Sequence, residues 1–383
     1  MKIVIIGTAY PYRGGLAHYN AILYRHLSQR HSVRVFTFTR QYPKILFPGK
    51  FQKEKNDGGV RIPTEQTIDS INPLSWWKIG RRIREMKPDC VVIKYWMPFF
   101  APCFGTINRI VRSNGYTKVV FICDNIIPHE RFPFGRALTR YAFSTIDGAI
   151  VQSDAVERDI QRLFPRIPYK KVPHPIYEIY GFKDTKEHAR EILGLPHENI
   201  ILFFGFVRPY KGLKTLLEAM PLVGKSVPVH LVIAGEFYED IEKYRLMIRD
   251  LGIEPDVTIR SDYIPQEEVG IYFSASDCVV LPYTSATQSG IVQIAYQFDK
   301  PVISTKVGGL AEVVIDGITG FTVPHENPSA LAEAIIKFFA EKKEPEFVKN
   351  VEIEKRKYSW DAMVTGIEEL ASGQSSSSNG GFA

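Results

Sequence analysis

The chain alternates buried strands with amphipathic helices, and the alternation occurs as two successive series. In the first series the apolar runs KIVIIG, PDCVVIKYW and KVVFICD each precede a helical segment. A second series begins at IILFFGF and continues through VHLVIAG and CVVLPY. Continuous apolar strands separated by helices are typical of a parallel sheet covered on both faces. The sequence therefore predicts an α/β protein with two doubly wound, Rossmann-like parallel sheets.

The domain boundaries follow from where the alternation stops. Around residues 166–186 the run PRIPYKKVPHPIYEIYGFKD breaks the pattern, and we interpret it as an interdomain linker. The prediction is a first domain over 1–175, a second over 176–356, a helix over 357–371 that packs back on the first domain, and a disordered tail over 372–383. Doubly wound domains that face each other bind ligands in the cleft between them.

Composition narrows the class of protein. With 45% hydrophobic and 23% charged residues, the chain has the balance of an ordinary soluble globular protein. The four cysteines lack CxxC spacing, which argues against a disulfide framework or a zinc site and fits a reducing cytoplasm. The short N-terminal apolar run ends in Gly, Pro and Arg, so it predicts a buried first strand rather than a signal peptide. We therefore expect a cytoplasmic protein.

The net charge of +6 is unevenly distributed along the chain. Of the 48 basic and 42 acidic residues, 28 and 13 lie in the first 180 residues, which leaves 20 and 29 for the rest. A basic half of this kind suits an anionic membrane surface or an anionic substrate. An even coat of charge without a specific partner is the alternative.

The segment FFGFVRPYKGL carries the clearest binding signal. Gly205 ends a hydrophobic strand, and Arg208 and Lys211 follow on a turn that opens the helical run LKTLLEAM. A guanidinium and an ammonium at a helix N-terminus, beside free backbone N–H groups, can bind a diphosphate. Two solvated surface cations are the alternative interpretation.

Further polar and small residues follow other strands of the second series. Gly235 and Glu236 end the strand LVIAG, and the backbone around Tyr263 and Ile264 could face a planar base. After the strand CVVLPY, a turn of small and hydroxyl residues leads into a helix and predicts a nest for phosphate oxygens. An ordinary N-cap is the alternative. The residues of this turn and helix start are Ser285, Thr287, Gln288, Ser289, Gly290, Ile291, Val292 and Gln293.

The first half offers a second group of candidates. Gly14 and Gly15 open the first helix without G-x-G-x-x-G spacing, so they allow close approach to a phosphate or sugar but argue against a dinucleotide site. His18 lies one turn further, where a surface histidine is the alternative. After the strand KVVFI, Asp124 and Asn125 could bind sugar hydroxyls, with local turn chemistry as the alternative. His129 in the next loop is a candidate catalytic residue, or an ion-pair partner of the adjacent glutamate.

The chain resembles the retaining GT-B glycosyltransferases of the group 1 or family 4 type. The resemblance rests on YPYRGGLAHY, GFVRPYKGL, LVIAG, YIPQEEVGIYFSASDCVVLPY, SGIVQIAYQFDKPVISTKVGGLAEVVIDGITGFTV and the closing YSW, in family order over nearly the whole chain. It implies metal-independent transfer of a sugar from a UDP-sugar or GDP-sugar with retention of configuration, and no cofactor. Arg208 and Lys211 would bind the donor diphosphate, Gly14 and Gly15 would approach it, and the turn at Thr287–Val292 would hold phosphates and sugar. Asp124 joins the catalytic candidates, with His18 and Asn125 as acceptor-binding candidates.

Two departures from the family pattern affect donor recognition. The family's paired glutamates would fall near Ala286 or Thr287 and near Ile294 or Ala295, so both carboxylates are absent. Thr287, Gln288 and Gln293 or Gln297 are the candidate replacements. Cys123 stands where the family often has a histidine. These changes point to a subgroup in which ATQSG replaces the acidic motif.

The acceptor is expected to bind to the first domain. The loop KILFPGKFQKEK, the basic helix KIGRRIREMK and the aromatic run YWMPFF could place it on an anionic membrane, which implies a cell-surface polysaccharide or a lipid-linked acceptor. In the alternative interpretation Trp96, Phe99 and Phe100 belong to the core and the lysines are solvated. A small soluble acceptor, and a degenerate protein that only binds sugar nucleotides, stay open as alternatives.

Overall fold

The chain folds into two compact α/β units. The computed structural model describes residues 1–43, 47, 51–54, 60–127, 132–196 and 199–373. The first unit takes the described residues within 1–46, 60–173 and 360–383, and the second takes those within 47–59 and 174–359.

The first unit is built on a parallel sheet of seven strands among the described residues. Its strands are β1 (Lys2–Ile6), β2 (Ser32–Arg40), β3 (Glu65–Asp69), β4 (Cys90–Tyr95), β5 (Lys118–Cys123), β6 (Gly148–Val151) and β7 (Tyr169–Lys171). Its first helices are α1 (Gly15–Ser28), α2 (Pro73–Met86), α3 (Ala101–Arg112), α4 (Gly135–Phe143) and α5 (Asp154–Leu163).

The second unit repeats this plan with six strands in the part of the chain that the structure describes. They are β8 (Asn199–Phe204), β9 (Val229–Ala234), β10 (Val257–Arg260), β11 (Cys278–Leu281), β12 (Val302–Thr305) and β13 (Gly320–Val323). The helices are α6 (Lys186–Leu193), α7 (Leu213–Gly224), α8 (Ile241–Asp250), α9 (Gln266–Ala275), α10 (Gly290–Gln297), α11 (Leu310–Val313), α12 (Pro328–Ala340) and α13 (Glu344–Glu354).

Strand order places one switch point in each sheet. The orders are β3-β2-β1-β4-β5-β6-β7 and β10-β9-β8-β11-β12-β13, with parallel pairing across both. The order therefore reverses between β1 and β4 and between β8 and β11, and the crevice outside the carboxyl ends of such a strand pair is where these sheets bind ligands. The central strands are apolar because helices cover both of their faces; β4 and β9 are buried over their whole length. Two parallel-sheet α/β units confirm the predicted fold class.

The last helix, α14 (Trp360–Ser372), belongs to the first unit. Trp360, at its start, is 2% exposed and packs against Tyr19 of α1 with ring centroids 4.9 Å apart. Lys170 of β7 pairs with Glu369 near the end of the helix at 2.6 Å. The chain thus returns to the first sheet after completing the second.

Several elements differ from the sequence interpretation. The segment interpreted as a linker contains β7, which pairs in parallel with β6. The strands β3 and β13 and the helices α6 and α13 were not predicted from the sequence. Positions 374–383 of the predicted tail lie outside the described residues. No helix in the described part of the chain is both long and apolar enough to cross a membrane.

Candidate functional site

The turn after β8 brings a cation to the switch point of the second sheet. Gly205 follows the strand with φ of 97°, in the region that favours glycine. A Cβ at this position would lie 3.1 Å from Nζ of Lys211 and 3.3 Å from Cδ1 of Ile291. The lysine ammonium and the side chain of Ile291, in the first turn of α10, therefore both lie beside the residue that follows β8.

Lys211 is buried in this turn, with only 7% of its surface exposed. It ends a 3₁₀ turn, Pro209–Lys211, and the following Gly212 has φ of 68°. A Cβ on Gly212 would lie 1.9 Å from the carbonyl oxygen of Pro282, so only glycine allows the turn to pack directly on the end of β11. The sequence RPYKG thus fixes where the ammonium lies.

The charge on Lys211 is poorly compensated. Burial lowers the pKa of Lys211 to about 7, and the positive charge of Arg208 adds to this effect. The ammonium lies 5.6 Å from the ring centroid of Tyr283 and forms no ion pair with any residue that the structure describes. A buried cation without an anion favours binding of one, because the anion would stabilise the charged form.

Arg208 and the neighbouring strand end complete this part of the site. The guanidinium carbon of Arg208 lies 4.9 Å from the ring centroid of Tyr238. Gly235 ends β9 with φ of 141°, and a Cβ there would approach the carbonyl oxygen of Gly205 to 2.3 Å. Glu236 is 3% exposed, and its carbonyl oxygen accepts a hydrogen bond from Val207 N at 2.9 Å. The ends of β8 and β9 are therefore in backbone contact.

The turn after β11 leads into the N-terminus of α10. Ser289 caps this helix, because its Oγ accepts a hydrogen bond from Ile291 N at 3.2 Å. The carbonyl oxygen of Thr287 accepts a hydrogen bond from Gly309 N at 3.1 Å. Gln293 is 1% exposed, and its Oε1 has no hydrogen-bond partner among the described residues. The N-cap of the alternative interpretation is therefore present, and the nest for phosphate oxygens stays a prediction.

The other predicted residues of the second unit surround these groups or lie near them. Tyr263 stacks with Phe206, with ring centroids 6.2 Å apart, and Phe206 lies 4.8 Å from the ring of Tyr238. Gly290 lies against Tyr177, whose ring would be 3.2 Å from a Cβ at that glycine. The remaining predicted donor residues are buried or half-buried: Ile264, Ser285, Gln288 and Val292.

In the first unit, the glycine pair begins α1. Gly14 has φ of 96°, and its carbonyl oxygen accepts hydrogen bonds from Ala17 N and His18 N. Gly15 is the first residue of the helix. His18 is 5% exposed, and burial lowers its pKa to about 4, so its imidazole is neutral near pH 7. The surface-histidine alternative is therefore wrong.

Asp124 and Asn125 follow β5 at the carboxyl edge of the same sheet. Asp124 pairs with the buried Lys94 of β4 at 2.5 Å. Asn125 Nδ2 donates to the carbonyl oxygen of Trp96 at 3.5 Å. His129 and its glutamate neighbour lie outside the described residues.

Sequence reasoning missed Lys94 and its neighbours Tyr19 and Gln152. The available signal was a lysine inside the otherwise apolar strand CVVIKY, since a buried lysine requires a partner.

The aromatic run YWMPFF belongs to the core, which corrects its expected membrane role. Phe100 is fully buried and Trp96 and Phe99 pack against the same core, because their rings fill the space between β4, α3 and Tyr42.

Each half of the chain matches a family model of glycosyltransferases. The family model described as Glycosyltransferase Family 4 matches residues 13–176, and the model described as Glycosyl transferases group 1 matches residues 198–341. The chain carries the two domains of a glycosyltransferase. The family 4 match lies mostly in the first unit, and the group 1 match, with Arg208 and Lys211, lies within the second.

Relatives agree with this assignment over different lengths. An uncharacterized glycosyltransferase of Methanocaldococcus jannaschii is 27% identical over 97% of both chains. The D-inositol 3-phosphate glycosyltransferase of Corynebacterium glutamicum is 30% identical over 41% of this chain, a match that spans 40% of the relative's length. Among solved structures, HepE of Anabaena in complex with UDP has a TM-score of 0.75 at 18% identity, over 97% of this chain and 100% of that one. The glycosyltransferase domains thus share the GT-B fold of this neighbour.

Proposed function

We propose that this protein transfers a sugar from a nucleoside diphosphate sugar to a hydroxyl group of a glycan or lipid-linked acceptor, with retention of configuration and without a metal ion. One observation carries the proposal. Lys211 is a buried ammonium at the switch point of the second sheet, without an ion-pair partner among the described residues, and its Nζ and the side chain of Ile291 of α10 both lie beside Gly205. A diphosphate is the anion that suits this position.

The chemistry of the reaction explains why such a cation is useful. When the bond from the anomeric carbon to the diphosphate breaks, negative charge grows on the departing phosphate. Lys211, Arg208 and the N-terminus of α10 would stabilise that charge, which is the task that a divalent cation performs in other phosphate sites. Preorganised groups of this kind stabilise a transition state without reorganising during the reaction.

The nucleoside is proposed to bind beside the aromatic cluster of Phe206, Tyr238 and Tyr263. The backbone at Tyr263 and Ile264 would then face the base, as the sequence predicts. HepE of Anabaena, which shares the fold, has been solved with UDP, and this supports a uridine nucleotide as the first ligand to test.

The sugar and ribose hydroxyls need acceptors in place of the absent carboxylates. The resemblance places the glutamates near Ala286 or Thr287 and near Ile294 or Ala295, none of which carries a carboxylate. The unpartnered Oε1 of Gln293 can accept a hydrogen bond from a hydroxyl, and Thr287 and Gln288 lie in the turn before it. Neutral groups here would leave the diphosphate charge to Lys211 and Arg208.

The first domain is proposed to bind the acceptor through His18, Asp124 and Asn125, and Gly14 and Gly15 are proposed to allow close approach of a phosphate or sugar at the start of α1. Retention would follow if the acceptor hydroxyl attacks the face from which the diphosphate departs. Transfer to a small soluble acceptor, and binding of sugar nucleotides without turnover, are the competing functions.

A basic face of the first unit supports an acceptor at a membrane. Leu74 and Trp77 of α2 are 70% and 50% exposed, and Lys78 and Arg81 lie on the same stripe of the helix. A shallow depression beside them is lined by Trp77, Arg81, Arg84, Arg109, Ile110 and Ser113. Cations mixed with exposed apolar side chains suit an anionic lipid surface. We propose peripheral binding to the cytoplasmic face of a membrane.

Liposome co-sedimentation tests the membrane proposal. The full chain should sediment with anionic vesicles at low salt and dissociate at high salt, and the Arg81→Ala/Arg84→Ala variant should bind less. If the chain does not bind anionic vesicles at low salt, the result would instead favour a small soluble acceptor.

Donor screening tests the main proposal. Thermal unfolding is measured with UDP, GDP and ADP, and donor turnover is measured with the corresponding sugar nucleotides, since a ligand that binds the native state raises its stability. One nucleotide should stabilise the wild type, and Lys211→Ala should lower turnover by about 10²–10³-fold. Lys214→Ala is the matched control, because that side chain is 73% exposed on α7. Binding without turnover would favour the degenerate function, and no binding at all would overturn the proposal.

A further inference from the structure

A buried lysine lies at the carboxyl edge of the first sheet, outside the residues proposed for donor binding. Lys94 is 2% exposed within β4, a strand that is otherwise apolar or aromatic apart from a cysteine. Burying an ammonium is costly unless it is paired and hydrogen-bonded. Its contacts therefore indicate what the position is built for.

Three other elements each supply one partner to Lys94. Its Nζ lies 2.5 Å from Oδ1 of Asp124, at the end of β5, and 3.3 Å from Oε1 of Gln152, after β6. The same atom lies 3.5 Å from the ring centroid of Tyr19 on α1, a cation–π distance. Gln152 in turn donates from Nε2 to the hydroxyl of Tyr19 at 3.3 Å.

Trp360, the last residue of the YSW motif, packs against one of the side chains that surround Lys94. Trp360 packs on Tyr19 at 4.9 Å and stacks on His26 at 5.6 Å between ring centroids. The ring that covers Lys94 is therefore held in place by the first residue of α14. The YSW motif, which the sequence identified only by family resemblance, thus has a packing role in the first unit.

The ion pair has a buried end and a more accessible end. The side chain of Lys94 is 2% exposed, whereas that of Asp124 is 14% exposed at the carboxyl end of β5. The lysine thus holds the carboxylate from the buried side, and the more exposed carboxylate lies at the carboxyl edge of the sheet, the edge at which sheets of this class bind ligands. An ion pair needed for stability alone would not require an accessible partner at that edge.

We propose that Lys94 is a positioning residue for the incoming hydroxyl group. It orients the carboxylate of Asp124, and Asp124 accepts a hydrogen bond from the hydroxyl that attacks the donor sugar, whether from an acceptor glycan or from water. The hydroxyl oxygen forms the new bond to the anomeric carbon, the electron pair of the broken bond leaves with the diphosphate, and the hydroxyl proton passes to a departing phosphate oxygen. This inference rests on the proposed glycosyl transfer.

Burial and charge act in opposite directions on Lys94. Burial lowers the pKa of Lys94, and the charge of Asp124 opposes that change. Burial raises the pKa of Tyr19 on α1 and of Cys123 on β5, so both of these neighbours stay neutral near pH 7. Among the described groups that contact Lys94, Asp124 therefore supplies the negative charge that compensates the buried ammonium.

The test compares hydrolysis of UDP-glucose, UDP-galactose, GDP-mannose and ADP-glucose at pH 7, with water as the acceptor. Lys94→Met should lower kcat about 100-fold and leave KM for the donor unchanged. Lys94→Arg should restore much of the activity. Lys118→Met on β5 is the control, because that side chain is 47% exposed.

The double variant Lys94→Met/Asp124→Asn covers a possible loss of folding, since it removes both charges together. It should melt near the wild-type temperature, keep stabilisation by UDP and stay about as inactive as Lys94→Met. A wild-type kcat in Lys94→Met, or wild-type activity in the double variant, would overturn the inference. A wild type that hydrolyses none of the four donors would instead overturn the proposed function on which it rests.

Discussion

The buried ammonium of Lys211 lowers the stability of the folded protein and favours binding of an anion. Burial lowers its pKa from 10.5 to about 7 because the described part of the chain offers the ammonium no anion. The folded protein therefore binds the proton of this residue more weakly than the unfolded chain does. At pH 7 and below, protonation of the buried lysine costs folding free energy, and a bound diphosphate would recover it.

This balance predicts a stabilising variant. Lys211→Met keeps the apolar stem and removes the charge, so its free energy of unfolding at pH 6 should rise by several kcal/mol, at about 1.4 kcal/mol for each tenfold change in proton affinity. The gain should fade as the pH rises from 7 towards 10.5, because the wild-type lysine is then neutral when folded. Chemical denaturation at pH 6 and pH 9 measures the difference; a variant less stable than the wild type at pH 6 contradicts this account.

For single residues, the sequence identified the charged side chains of the candidate site better than it identified their packing partners. Arg208 and Lys211 were visible because R-x-x-K-G follows an apolar strand and precedes a helix. Lys94 was visible only as an anomaly within a strand, since its partner Asp124 lies 30 residues away. The unpartnered amide oxygen of Gln293 left no sequence signal, because burial depends on the packing of the whole unit.

At the scale of elements, glycines at strand ends let the loops of the second unit touch one another. Gly212 faces the carbonyl oxygen of Pro282 after β11, and Gly308 faces that of Ala286, where a Cβ would lie at 1.5 Å. Both glycines have positive φ angles. The turns that carry Lys211 and the ATQSG motif are thus held by backbone packing.

Replacing one of these glycines should therefore damage the donor site. In Gly212→Ala the new methyl group would collide with the carbonyl oxygen of Pro282, 1.9 Å away, so the turn must shift and carry Lys211 with it. Stabilisation by the nucleotide should be largely lost. Gly224→Ala, at the end of α7, is the control, since a Cβ there meets nothing within 4 Å. Equal nucleotide stabilisation in both variants would refute the role of this turn.

Elements with weak apolar patterns escaped the sequence interpretation. β3 reads EQTID and lies at one edge of its sheet, and β7 has only three residues, YKK, at the other edge. Edge strands are partly solvated, so they carry little of the hydrophobic signal that identifies central strands. The central strands that end at the candidate sites were predictable for the opposite reason.

At the scale of the whole molecule, the chain leaves the first unit at Pro173 and returns to it at Trp360. The two halves of the sequence therefore do not correspond simply to the two units. Sequence periodicity predicted both sheets, and the family models match both domains, because each sheet is built from consecutive strand–helix units. The partner of a distant segment such as α14 depends on packing that periodicity does not encode.

The return of the chain predicts a large effect at Trp360. Trp360→Ala removes a side chain that is 2% exposed and packs on Tyr19 and His26, so the free energy of unfolding should fall by about 3–5 kcal/mol. Trp77→Ala is the control, because Trp77 is 50% exposed on α2 and its loss should change stability little. Denaturant unfolding of both variants measures this, and a loss below about 1 kcal/mol in Trp360→Ala would contradict the packing described.

The central claim is that Lys211 binds the diphosphate of a nucleotide sugar, and the pH dependence of donor affinity tests it most directly. Calorimetric titration with the intact nucleotide sugar is run at pH 6 and pH 8.5 at constant ionic strength. The affinity of the wild type should fall about tenfold or more over this range, because Lys211 loses its proton as the pH passes about 7. Lys211→Met should bind weakly at both pH values, and Lys214→Met should behave as the wild type. A wild-type affinity that does not change with pH, or a Lys211→Met variant that binds as tightly as the wild type, would contradict the claim.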